Sequence, residues 1–206
     1  MIAAVIVLGV VAQVVAWWAI ASRGSSIWST LAPVLAVAGA LAVVVGKPAL
    51  AGRERVWLVL VVGFAVGTVL FVATRVFIAI VGPRWERFDR HSRAIYAAGG
   101  RDTPAHAVLA AGAVAIGEEL FWRGLTQEEL AARIGTAAAA AVVAWLGYVV
   151  VNLPSRNLAI IAGAVVGGAA WGALAWWSAG VLASVACHAT WTALMLARPP
   201  IASATR

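Results

Sequence analysis

The chain has 206 residues, of which 64% are hydrophobic and only 11% charged, with a formal charge of +7. That composition excludes an ordinary soluble domain, and the arginine excess sits in short breaks between apolar runs, which points to lipid headgroups and excludes nucleic acid as a partner. Cys187 is the only cysteine, so neither an intrachain disulfide nor a cysteine metal cluster can form.

A transmembrane helix needs roughly 20 mostly apolar residues. Apolar runs divided by Gly, Pro and Arg predict helices at 2–21, 27–46, 56–82, 105–123, 135–151, 158–177 and 179–197. The fold class expected is all-α, a polytopic bundle of about seven spans. The first run begins at Met1-Ile2-Ala3 without a basic region, which reads as a retained helix rather than a signal peptide. The run from Val56 to Gly82 exceeds one span and carries Arg75, whose guanidinium is expected to snorkel to the headgroups.

Between Pro83 and Pro104 lies the main polar stretch. Trp85, Phe88 and Ile95 recur near helical spacing opposite Arg84, Arg87 and Arg90, so it is either an amphipathic helix in the interface plane or a solvated loop. Leu125 to Ile134, with Gln127, Glu128 and Glu129, reads as a second amphipathic piece linking the fourth span to the fifth. In the sixth span Gly163 and Gly167, and Gly168 and Gly172, form small-xxx-small faces where another helix backbone is expected to approach. Positive residues flank both sides of any threading, so the sequence fixes no orientation.

An ionisable group near the centre of a span costs roughly 2.5–3.5 kcal/mol on insertion, so such groups need a reason. Glu119 and Arg123 are four apart and can pair on one helix face, while Glu118 points about 100° away and is left free. An interfacial ion-paired helix end would explain them equally well. His188 falls near the middle of the last span with Thr192 one turn later, and it is either a hydrogen-bonded packing residue or a functional one. Ser184 is also one turn from His188, but no strained nucleophile turn or oxyanion loop accompanies it. HExxH is absent, and His91, His106 and His188 are the only histidines, so no zinc protease site and no metal is expected.

Glu118-Glu119-Leu-Phe-Trp-Arg123-Gly124, an amphipathic linker, a span, a glycine-rich span and a last span with His188-Ala-Thr-Trp-Thr192 resemble the CPBP family. That family contains type II CAAX prenyl endopeptidases and bacteriocin-processing or immunity-type membrane proteins. The resemblance covers 105–197 and divides the chain into 1–104, N-terminal helices with the amphipathic segment, and 105–197, a protease-like core. It implies an intramembrane glutamic protease in which Glu118 is the general base for a water and Glu119 with Arg123 is the supporting pair. The family's aromatic-x-x-x-His motif reads Tyr148-Val-Val-Val-Asn152 here, and its His-x-x-x-Asn motif reads His188-x-x-x-Thr192. Asn152 can hold a water but cannot take its proton, whereas Thr192 can still donate to an oxyanion.

The expectation is therefore a multi-pass protein of the cell membrane, with an Ala-, Val-, Gly- and Arg-rich composition that points to a bacterial plasma membrane. It would hydrolyse a peptide bond of a peptide or membrane-protein substrate, with Glu118, His188, Asn152 and Thr192 in one polar cavity and no cofactor. A family member without catalysis that binds, regulates or confers immunity is the first rival. A proton-coupled transporter is another, though no inverted repeat supports it.

Overall fold

The computed structural model describes residues 1–97 and 104–200. The end of the arginine-rich stretch, 98–103, and the His106 side chain lie outside the described residues. Within them the chain forms α1 (Ile2–Arg23), α2 (Ile27–Gly46), α3 (Val56–Val81), α4 (Glu86–Ala97), α5 (Pro104–Glu119), α6 (Glu128–Ile134), α7 (Ala137–Asn152), α8 (Leu158–Ser178) and α9 (Leu182–Ala197). Five segments, those containing α1, α2, α3, α7 and α8, are long and apolar enough to cross a membrane. The apolar α9 has 16 residues, and α5 holds both acids. Val7 and Leu8 on α1, and Val61 and Phe64 on α3, are exposed. An apolar exterior over closed helical hydrogen bonding is what a lipid solvent demands, and the chain is a multi-pass helical membrane protein.

Helix ends follow local chemistry. Gly24 takes a left-handed conformation (φ 65°) and returns its N–H to the Ile20 carbonyl, closing α1. Asn157 opens α8 by accepting from the N–H groups of Ala159 and Ile160, at 2.9 and 3.2 Å. The link 47–55 docks on the turn between α8 and α9: Arg53 donates to the Trp176 and Trp177 carbonyls, and Val181 and Leu182 donate to those of Ala49 and Leu50. A cation on the last carbonyls of α8 also suits the negative end of its dipole.

The bundle pairs α3 with α9, α2 with α5 and α7 with α8. Its main core joins Ala38, Ala42 and Val59 from the first half to Phe121, Tyr148, Trp171 and Cys187 from the second, so one core runs across the 104/105 boundary. Close helix approach comes from glycines outside α8. A Cβ on Gly39 would sit 2.6 Å from the Gly117 Cα, and one on Gly63 or Gly67 would sit 2.6 Å from the Ala183 or Cys187 carbonyl oxygen. The small-xxx-small face of α3 thus seats α9.

Three expectations are corrected. The chain from α5 to α6 does not break into a linker: a π-helical turn, Leu120–Gln127, carries the helix through, and Thr126 Oγ1 donates to the Phe121 carbonyl across it at 3.0 Å. Arg75 does not simply reach for headgroups, because its Nη1 donates to the Arg198 carbonyl just past α9 at 2.8 Å. Gly167 and Gly168 face aromatic rings, Trp171 and Tyr148, rather than a helix backbone.

The two readings of the arginine-rich stretch resolve in favour of a helix. In α4, Phe88 and Ser92 are buried while Arg87 is exposed. Glu86 pairs with Arg90, and Asp89 with Arg93 at 2.7 Å. The helix is fastened to α8 by His91, whose Nδ1 accepts the Leu158 N–H at 2.9 Å and whose carbonyl accepts from Asn157 Nδ2 at 3.0 Å.

This arrangement sets two expected outcomes. A cysteine placed at Arg87 should react with a membrane-impermeant maleimide from one side of sealed vesicles, while one at Ser92 should stay unlabelled until denaturation. The native Cys187 is buried and gives little background. Labelling of Arg87→Cys from neither side would place α4 inside the bundle.

The second concerns pH. His91 must be neutral at Nδ1 to accept, and burial, then Arg87 and Arg90, hold its pKa below the ordinary 6.5. Its stabilising contribution is therefore full above 6.5 and lost as pH falls through the lowered pKa. His91→Ala should cost about 1 kcal/mol at neutral pH, the scale of a helix cap, and should flatten the acid side of the detergent-stability profile. An unchanged acid limb in the variant would rule the cap out as its cause.

Candidate active site

The site begins with the problem of Glu119, whose side chain is fully buried in the bundle. An unpaired carboxylate there would be prohibitively unstable. Helical spacing puts Arg123 on the same face, and its Nη1 lies 3.2 Å from Glu119 Oε1. Nη2 of the same guanidinium donates to the Gly168 carbonyl at 3.0 Å. Its plane lies over the Tyr148 ring at 4.7 Å and near Trp171 at 5.6 Å, so the cation is held by charge, hydrogen bonds and aromatic faces together.

His188 reaches this pair from α9. Its Nδ1 is 2.9 Å from Glu119 Oε1. A carboxylate engaged with arginine is ionised and only accepts, so Nδ1 carries the hydrogen and donates. In a neutral ring that leaves the Nε2 lone pair bare. Nε2 lies 3.9 Å from Oε2 of Glu118, too far for a direct hydrogen bond and suited to a bridging water. The two adjacent acids therefore flank one imidazole, Glu119 on Nδ1 and Glu118 on Nε2. The Tyr148 hydroxyl lies beside the Glu118 carboxylate.

The structure thus brings Glu118, Glu119, Arg123 and His188 together. Asn152 is buried one turn beyond Tyr148, and its Nδ2 donates to the Tyr148 carbonyl at 2.9 Å rather than to any of these four. Thr192 Oγ1 is buried without a hydrogen-bond partner. Ser184 donates to the Val181 carbonyl at 2.9 Å, so no serine–histidine hydrogen bond forms, and His188 is engaged with carboxylates instead. A cavity of about 290 Å³ between α6, α8 and the 47–55 link reaches Arg123 and Gln127, but Glu118, Asn152, His188 and Thr192 do not line it. Among the described residues no three imidazole, thiol or carboxylate groups converge as metal ligands would.

Two participants, Gln13 and Trp171, went unread in the sequence. Gln13 in α1 is buried and accepts the Trp122 indole N–H at 3.1 Å, fixing the residue next to Arg123. A lone amide in the apolar run 2–21 was a legible signal for it. Tyr148, the aromatic of the motif that ends at Asn152, and Trp171 supply the aromatic walls, and nothing in the spacing of Trp171 distinguishes it from an ordinary core aromatic.

Because Glu119 and Arg123 are both buried, Arg123→Ala should destabilise the protein by about 3–5 kcal/mol, leaving an uncompensated carboxylate against His188. Glu118→Gln, which keeps shape and loses a less constrained charge, should cost far less. Detergent-stability curves of the two variants provide the comparison. Equal stability of Arg123→Ala and wild type would mean that the pair is solvated and that the two acids do not divide their roles.

No curated protein and no solved structure matches the chain. Residues 101–194, a little under half of the chain and the part that holds both acids, Arg123, Tyr148, Trp171 and His188, match the family described as type II CAAX prenyl endopeptidase Rce1-like, so this segment is CAAX-protease-like.

Proposed function

We propose that the protein is an intramembrane endopeptidase that hydrolyses a peptide bond with a water activated by Glu118. The observation that carries this reading is the single imidazole held between two buried carboxylates, hydrogen-bonded at 2.9 Å on the Glu119 side and 3.9 Å away, beyond a direct hydrogen bond, on the Glu118 side. Similarity of residues 101–194 to CAAX-type endopeptidases supports the same chemistry.

In the proposed reaction a water in the gap gives one proton to Glu118 while its oxygen attacks the scissile carbonyl. His188 Nε2 orients that water as an acceptor. The carbonyl oxygen gains the negative charge, and the hydroxyl groups of Thr192 and Tyr148 are the candidate donors to it. Collapse of the tetrahedral species breaks the C–N bond, and the proton held by Glu118 passes to the departing amine. Glu119 stays ionised throughout and keeps the ring in one tautomer, the role of the buried acid in a serine-protease triad. No cofactor enters these steps. The substrate would be a peptide or a segment of a membrane protein, in a bacterial plasma membrane.

A second reading has its own observation. The Asn152 amide is turned back onto the Tyr148 carbonyl where the CPBP pattern has a histidine, which favours a family member that binds, regulates or confers immunity without cleaving.

Cleavage of a peptide library by purified protein, in detergent and in liposomes, separates the two. Wild type should cleave, Glu118→Gln should not, and Asn152→His should raise the rate by up to about 10²-fold, the lower end of general acid–base assistance. The Asn152→His, Glu118→Gln double variant should be as inactive as Glu118→Gln. Folded wild type and Asn152→His that are both inert would favour the binding protein. A wild-type rate that Glu118→Gln leaves unchanged would reject the glutamate mechanism.

A further inference from the structure

The chemistry above requires His188 Nε2 to point at Glu118, and a single hydrogen bond at Nδ1 does not fix that. A ring held at one atom can still swing about the bond it donates. What holds its plane is Trp171 on α8: the indole and imidazole are stacked face to face, with centroids 3.7 Å apart and planes 13° from parallel. Both residues are buried. The other nearby indole, Trp191, is tilted 46° to His188 at 6.2 Å and spends its N–H on Thr74 Oγ1 of α3 at 3.1 Å.

Two features show that the Trp171 face matters more than its polar edge. Its buried Nε1 meets no oxygen or nitrogen acceptor and has only the weakly accepting Cys187 thiol beside it, so no strong hydrogen bond explains the residue. The helix also leaves room for the ring where it lies, since a Cβ on Gly167 would fall 2.7 Å from Trp171 Cη2. We infer that Trp171 is the positioning residue for His188, setting the imidazole plane so that Nδ1 meets Glu119 and Nε2 addresses Glu118. Because the same ring borders the Arg123 guanidinium, one indole holds both partners of the Glu119 carboxylate.

This role rests on the proteolytic reading only for its effect on rate, so the test has a readout independent of cleavage. The protein, labelled with ¹⁵N-histidine in lipid nanodiscs, reports the His188 tautomer through its ring nitrogen shifts, assigned by loss of the signal in His188→Gln. Wild type should show the hydrogen on Nδ1. Trp171→Phe, which keeps a flat ring without the N–H, should preserve that pattern, and Trp171→Leu should shift or average it. Trp191→Leu should leave it unchanged. In the cleavage assay Trp171→Leu should lower kcat about 10- to 100-fold at constant KM, the scale of a small misplacement of a reacting group. Trp171→Phe should restore most of that rate.

Should Trp171→Leu fail to fold, Gly167→Ala displaces the indole without removing it and should perturb the same signals. A His188 pattern unchanged in the folded Trp171→Leu or Gly167→Ala variant overturns the inference. A pattern that shifts as expected in a protein whose wild type cleaves nothing supports the positioning and rejects the protease.

Discussion

Glu119 is withdrawn from water inside a bundle whose own surroundings are apolar, and an ion so placed costs several kcal/mol unless charge and hydrogen bonds replace its hydration. The replacement comes from two helices and a third that backs them. Arg123 lies one turn further along the same continuous helix, His188 comes from α9, and α8 contributes the Gly168 carbonyl, which accepts from the second terminal nitrogen of the guanidinium. Both contacts to the carboxylate fall on Oε1, with no hydrogen-bond partner on Oε2, and together with the Gly168 carbonyl they tie α5, α8 and α9 to one depth. The same arrangement also accounts for the glycine at 168, since a Cβ there would lie 2.8 Å from the Tyr148 ring that faces the guanidinium.

The same constraint separates two residues that are chemically identical and adjacent. Glu119 has an arginine and an imidazole hydrogen on one oxygen, and any change in its protonation would undo both contacts. Glu118 has neither. Its nearest polar neighbours are a phenol and the unprotonated side of the same imidazole, groups that can exchange a proton or a water with it at little structural cost. A structural acid beside an exchangeable one is what burial next to a single cation produces, and it is also what a water-activating site requires.

Much of this was written in the sequence because membrane insertion penalises exceptions. Five of the expected spans follow from run length, and the pairing of Glu119 with Arg123 follows from their spacing of four, which the π turn preserves. The turn itself left no trace, since LFWRGLTQ has no residue that forces it and tertiary packing selects it. The glycines of α8 were read as a helix contact because spacing reveals a small surface but not whether a backbone or an aromatic ring fills it. Arg75 was assigned to lipid headgroups because the tie to Arg198 joins residues 123 positions apart, and no local pattern records it. Trp171 was invisible for the same reason: its value lies in a ring-to-ring distance across two helices.

Asn152 and Thr192 acquire their meaning from this geometry. In the proposed reaction the water needs one group to take its proton and another to orient it, and Glu118 with His188 Nε2 already forms such a couple without any residue at 152. A histidine there would add a second acceptor, so its replacement by an amide removes assistance rather than the central carboxylate. Thr192 differs in kind, because its hydroxyl is buried and no protein group takes its hydrogen bond. In the proposed reaction this hydroxyl, one turn from His188, would be the donor spent on the bound carbonyl. For a site that merely binds, Thr192 would be the polar anchor; for one that cleaves, it would be the donor whose hydrogen bond strengthens as the oxyanion forms.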